Sequence, residues 1–349
     1  MKRSLIIVAF IFAVPSLVLC QDVVPFKLGT FEDGGNRYLG LVLDDTLVVN
    51  IEQANQALGG AQPAIPSDMT DLIVQYDELA PRLRAIAAAA ASNSEPAYVR
   101  QVSEVKVLLP MTPNISYNAA SNYPLHQAEM NRMSGEDVEE GPAPDPIPGV
   151  WEPAPNDRRQ SPYVFLKMAS TMIADGESIR IPPQRPNLDW ECELAVVVAR
   201  PASQVAVADA EDYIFGYTLE IDVSDRGFRS DGRMGTDWFL GKNHDTYGPL
   251  GPFIVPKEFV AEPLNLKQTL TLSGTLMQDS NTGNMTHDIY DMLSYISHII
   301  TMHPGDVYAM GSPSGVGTAR ETPIYMEAGD TAVCEIESIG TLTNPVVGP

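Results

Sequence analysis

Apolar runs of strand length, separated by short polar or Gly/Pro punctuation, dominate the chain. A basic start (Lys2, Arg3) leads into a stretch of apolar and small residues that reaches Cys20 and is broken by Pro15. This is the pattern of a secretory signal peptide. Cleavage after Cys20 would leave Gln21 first and imply export, periplasmic or secreted. Lipidation of Cys20 is a second reading, disfavoured by the bulky Leu19 before it. RYLGLVLDDTLVVNI predicts two strands joined by a tight Asp44-Asp45 turn. Ser67 and Asp68 open a helical pattern, with Leu72, Tyr76, Leu79, Leu83 and Ile86 at helical spacing, which Pro81 is expected to kink or divide. Residues 21–100 thus predict a small α+β N-terminal domain ahead of a larger unit, 101–349. Residues 131–160 are rich in Pro, Gly and acids and predict a long loop, either a lid or a solvated insertion. From 161 onward short apolar strands alternate with turns. One helix interrupts them, with a stripe of Ile289, Leu293, Ile296 and Ile300 and a stop at Pro304-Gly305. The predicted class is α+β and β-rich.

Composition narrows the partners more than the function. The chain has 349 residues, with 22 Lys+Arg against 45 Asp+Glu and a formal net charge of -23. Nucleic acids and anionic membrane surfaces call for a basic patch, so neither is an expected partner. After the leader no run reaches the ~18 apolar residues of a membrane span. No phosphate-cradling glycine loop and no CxxC pair occurs. Cys192 and Cys334 read as small buried residues on strands, although export would permit a disulfide between them.

The first chemical signal is DWECELAVVV, residues 189–198. Its end is as apolar as a buried strand, yet Glu191 and Glu193 fall on one face, because strand side chains alternate. Paired like charges repel, and a hard divalent cation reverses that repulsion. Taken alone the pair fits a solvated strand face as well as a cation site. Asp222, after the apolar strand of IFGYTLEIDVSDRG, is the candidate third carboxylate. In SNYPLHQAEM, His126 and Glu129 stand three apart and would share a helix face.

Several ordered blocks carry a resemblance. ECELAVVV, GYTLEIDVSDR, GKNHDTYGPLGP, GDVYAMGSPSGVG and the closing EIESIGTLTNPV resemble the fumarylacetoacetate hydrolase superfamily over residues 105–349. The resemblance implies a mixed β-roll around a metal site. Glu191, Glu193 and Asp222 would be the ligands of Mg²⁺ or Mn²⁺, with Ca²⁺ a further candidate. The metal would act as a Lewis acid on a keto acid. By the same resemblance Lys242 faces the site, His126 and Glu129 activate water, and Arg226 binds a substrate carboxylate. Ser312 stands where relatives carry threonine and would hold a substrate carboxylate too. Ile221 and Gly227 depart from residues common in the family, and Arg229 and Ala119 from the pattern of the mammalian-type hydrolase. They favour the branch with three carboxylates, and Arg229 beside Arg226 favours an acidic substrate. The implied activity is C–C hydrolysis of a 2-oxo or 2,4-dioxo acid such as an acylpyruvate, as in aromatic catabolism. Decarboxylation of an oxaloacetate-like acid, isomerisation or hydration of an unsaturated hydroxy acid, and an exported binder without turnover are the alternatives. The resemblance also implies a homodimer.

Overall fold

Asp44 and Asp45 both take positive φ, 49° and 55°. That is the mirror-image turn whose twist suits a tight hairpin, and the Thr46 N–H closes it onto the Leu43 carbonyl at 3.1 Å. The turn joins the strands Asn36–Leu43 and Leu47–Asn50, as the hydrophobic pattern indicates. The structure is a computed structural model that describes residues 23–60, 64–92, 96–135, 146–154, 156–227, 230–231 and 235–349. The leader, residues 1–20, and Arg229 lie outside the described residues.

A twelve-stranded mixed sheet runs through the molecule. Lys27–Asp33 pairs with Gly248–Pro256, so the N-terminal hairpin strands extend the sheet that carries Ile214–Ile221, Cys192–Val198, Val307–Ala309, Ser116–Ala119 and Val164–Lys167. A second sheet of five strands includes Thr275–Asn281, Lys267–Leu272 and Thr331–Ile336.

The strand Cys192–Val198 is buried on both faces, which explains its unbroken apolar run. Leu194, Val196 and Val198 share a core with Leu270 and Leu272 of the second sheet and with Leu293 and Ile296 of the Ile289–Ile299 helix. Ala195 and Val197 point the other way, into a core with Leu79, Leu83 and Ile86. Cys192 belongs to the first set. It is disulfide-bonded to Cys334 of the second sheet, across 142 residues of sequence, with the Cα atoms 5.3 Å apart. Both sulfurs are buried on strands, as expected; their bond joins the two sheets.

Several local expectations shift. The helical pattern after Asp68, which caps by accepting from Thr70 N–H at 2.8 Å, divides at Gln75 and not at Pro81. Pro81 sits in the second turn of Tyr76–Ser92. The carbonyl its missing N–H would serve belongs to exposed Asp77 at that helix's start, where solvent can reach it. Residues 131–134, read as loop, complete the Pro124–Ser134 helix, which ends on left-handed Gly135 at φ 73°. Within the expected loop, Ile147 bridges Trp151, while 136–145 lie outside the described residues. The helix ends at Ile299, and Ile300 is its extended C-cap, at φ -147°, and is exposed. A short helix, Trp238–Lys242, was not legible in the hydrophobic pattern.

Candidate active site and metal centre

Strand parity brings Glu191 and Glu193 to one face, and the antiparallel register Cys192↔Ile221 sets the end of the neighbouring strand beside them. Asp222 follows that strand, and its N–H donates to the Glu191 carbonyl at 2.8 Å. Glu191, Glu193 and Asp222 are all buried, and one oxygen of each lies within 4.8 Å of the others. Water does not screen them, so the surrounding charges decide their state. Burial, then Asp222, Glu191 and Glu220, push the Glu193 carboxyl well above the usual range. Burial also acts on Glu191, but Lys242 and Arg226 outweigh it and hold that carboxyl well below the usual range.

Two buried lysines supply counter-charge. Lys242 Nζ donates to Glu191 Oε2 at 2.6 Å, to Ser224 Oγ at 2.7 Å and to the Asp222 carboxylate. Burial opposes its charge, yet Asp222 and Glu191 keep the ammonium above its ordinary value. Lys167 Nζ donates to Asp222 Oδ1 at 2.6 Å and to the carbonyls of Lys242 and Val223.

The Pro124–Ser134 helix carries the second chemical group. His126 Nδ1 lies 2.8 Å from Glu129 Oε1, and His126 Nε2 lies 3.8 Å from Glu191 Oε1. The Gly315 N–H donates to the Glu129 carboxylate at 3.0 Å. Glycine is needed there: φ is +104° and a Cβ would lie 2.3 Å from the Met277 carbonyl oxygen. In the same loop the Gly311 N–H donates to Glu193 Oε2 at 2.8 Å.

Two expected substrate contacts are otherwise engaged. Arg226 donates to Asp189 Oδ2 at 2.9 Å and to Glu191 Oε1 at 2.5 Å, so its guanidinium braces a carboxylate of the cluster. Ser312 Oγ accepts from Gln278 Nε2 at 2.8 Å and donates to Pro313 O at 3.2 Å.

Sequence reasoning missed Lys167, Asp189 and Glu220. Asp189 accepts from the Gly317 and Thr318 N–H groups as well as from Arg226. Glu220, opposite Glu193 in the ladder, accepts from Asn118 at 2.8 Å, and burial pushes its carboxyl up to about 7. Lys167 ends the apolar VFLK strand, where an inward-facing lysine was the available signal.

The donor set fits a hard dication. It is all oxygen, it is buried, and the Lys242 ammonium already bridges two of its members as a stand-in cation. Around it, among the described residues, the buried acids Asp189, Glu191, Glu193, Glu220 and Asp222 face Lys167, Lys242 and the partly buried Arg226. Acids outnumber cations in this group, and a divalent ion would offset part of that excess.

The family described as fumarylacetoacetate (FAA) hydrolase C-terminal matches residues 116–347. The mitochondrial oxaloacetate tautomerase FAHD2B of Bos taurus is 34% identical over 291 residues, 83% of this chain and 83% of its own length. The crystal structure of maleylpyruvate hydrolase from Sphingobium sp. SYK-6 is 27% identical with a TM-score of 0.67, covering 93% of this chain and 100% of that one. The same hydrolase solved with manganese(II) and pyruvate is 28% identical with a TM-score of 0.64, covering 92% and 99%. These likenesses agree with the β-rich α+β fold.

They also correct the expectation of export. Relatives such as the bovine and human FAHD2B proteins are described as mitochondrial, which points to an intracellular location instead. The physical reason for the misreading lies in residues 1–21, which are basic and free of acids. Organelle-targeting segments share that charge pattern with secretory leaders. No helix among the described residues is long and apolar enough to cross a membrane.

Proposed function

The chain belongs to the fumarylacetoacetate hydrolase family, and from that premise we propose that it is a divalent-metal enzyme that enolises small 2-oxo acids, oxaloacetate-like dicarboxylates foremost. The carrying observation is the buried Glu191–Glu193–Asp222 cluster with the His126–Glu129 pair set against it, Nε2 3.8 Å from Glu191. Glu191, Glu193 and Asp222 would hold Mg²⁺ or Mn²⁺, and the manganese in the Sphingobium neighbour supports the second ion. A bound dication would supply Lewis-acid polarisation of a keto oxygen.

The chain's own groups would do the rest. Glu129, fixed by the Gly315 N–H, holds His126 Nδ1 at 2.8 Å and orients the imidazole. His126 Nε2 takes a proton from the carbon beside the carbonyl and returns it at oxygen, or the reverse. The Lys242 ammonium offsets negative charge as it develops on the substrate. Arg226 holds Glu191 in place. Arg229, outside the described residues, stays the candidate for a distal substrate carboxylate. The name oxaloacetate tautomerase, carried by relatives one third identical over most of their length, supports this choice of substrate.

Hydrolysis of an acylpyruvate is the second reading. The same dyad can deprotonate a water, and the maleylpyruvate hydrolase neighbours favour it. A homodimer, expected of the family, is tested by light scattering. The deciding experiment follows oxaloacetate keto–enol interconversion and pyruvate release from acylpyruvates, with Mg²⁺ or Mn²⁺ against EDTA, for wild type and Glu193→Ala. Metal-dependent turnover lost in the variant supports the proposal. Metal binding without turnover across the panel overturns it in favour of a binding protein.

A further inference from the structure

The two reactive parts of the site sit on different elements. The carboxylates stand at the start of the Cys192–Val198 strand and just past the end of its neighbour Ile214–Ile221, the histidine–glutamate pair on the Pro124–Ser134 helix. Proton transfer depends on how accurately the two are held, because a misplacement of about 1 Å can cost roughly 10²-fold in rate. A short loop spans them. Its first residue, Gly311, donates to Glu193, and its last, Gly315, donates to Glu129.

The middle of that loop is tied down by one buried side chain, Gln278, of the Thr275–Asn281 strand in the second sheet. Gln278 Nε2 donates to Ser312 Oγ at 2.8 Å and to Pro313 O at 2.7 Å. Its Oε1 accepts from the Cys192 N–H at 3.0 Å, the peptide between Glu191 and Glu193. A single amide therefore grips the loop with its donor end and the carboxylate strand with its acceptor end. A second buried glutamine, Gln268, repeats the device: its Nε2 donates to the Cys192 carbonyl, and its Oε1 accepts from Tyr123 Oη at 2.9 Å, directly before the His126 helix. The Cys192–Cys334 bond anchors the same residue to the same sheet.

We infer that Gln278 is a positioning residue, which sets the His126–Glu129 pair in register with the carboxylate cluster through the Gly311–Gly315 loop. This rests on the proposed function for its kinetic readout, but not for its structural one. Both ends of the buried Gln278 amide are taken by the chain, so it acts through the groups it holds, and through the loop it reaches Glu129.

The test compares Gln278→Met, which keeps length and removes both hydrogen-bonding ends, with the isosteric Gln278→Glu, which keeps an acceptor but no donor. Crystal structures should show Gly315 N–H withdrawn from Glu129, with Glu191, Glu193 and Asp222 unmoved and Mn²⁺ affinity unchanged. The kcat for the substrate identified with wild type should fall about 10- to 100-fold with KM little altered. The loss should largely vanish in a Glu129→Gln background, since both changes act on one group. A loop that stays in place, or equal losses with and without Glu129, overturns the inference. If Gln278→Met does not fold, the glutamate variant carries the same comparison. Wild-type enzyme without turnover sinks the proposed function, and the loop position and Mn²⁺ affinity still judge the role of Gln278.

Discussion

Replacing Lys167 with methionine removes one charge from the most buried ion pair of the site while nearly keeping side-chain volume. Lys167 is 2% exposed, and its ammonium serves Asp222 Oδ1 at 2.6 Å and two carbonyls. Deleting one partner of such a pair leaves an uncompensated buried charge and costs about 3–5 kcal/mol. Lys242 still contacts the Asp222 carboxylate, so the lower end, about 3 kcal/mol, is expected. Urea denaturation in EDTA measures it as a fall in midpoint at constant slope. Lys167→Met combined with Asp222→Asn provides the internal control. Asparagine in the variant background removes the orphaned charge and should cost at least about 1–2 kcal/mol less than in wild type. A loss under 1 kcal/mol for the single change, or additivity within about 0.5 kcal/mol, would refute the claim that buried charge balance organises this site.

Three further outcomes are expected. Cys334→Ala should lower the unfolding free energy by about 3–5 kcal/mol in urea titrations, since the bond closes a loop of 142 residues; no change would show that the two sheets hold together without it. Burial, with Arg159 nearby, holds the His287 imidazole below its ordinary value of 6.5. The unfolded chain therefore binds that proton more readily. The stability present above pH 6.5 should fall as pH drops through it, and His287→Phe should flatten the slope read by pH-stepped thermal unfolding. His126→Ala should reduce kcat about 10²–10⁴-fold, leaving Mn²⁺ affinity unchanged; a small effect in steady-state assays would remove the imidazole from the chemistry.

What the sequence made legible follows from how locally each feature is encoded. Strand parity alone places Glu191 and Glu193 on one face, and a three-residue step places Glu129 beside His126. Asp222 was a candidate from its place after an apolar strand, and the ordered blocks of the family resemblance strengthened it. Lys167, Asp189, Glu220 and Gln278 were not legible, because each acquires its partners from elements far away in sequence. Spacing also carries no record of pairing between cysteines 142 residues apart. Arg226 was read as a substrate ligand from its type and motif, and type cannot reveal that its Nε and Nη2 also reach Asp189 and Glu191. Pro81 was given too much weight as a breaker, since a proline near a helix start leaves unserved a carbonyl that solvent can reach.

The most direct test of the account is the anomalous scattering of a crystal soaked in Mn²⁺. It predicts one peak per chain, bounded by oxygens of Glu191, Glu193 and Asp222, and its disappearance in Glu193→Ala. A peak elsewhere, or none at saturating manganese while Lys242 keeps its hold on Glu191 and Asp222, would contradict it.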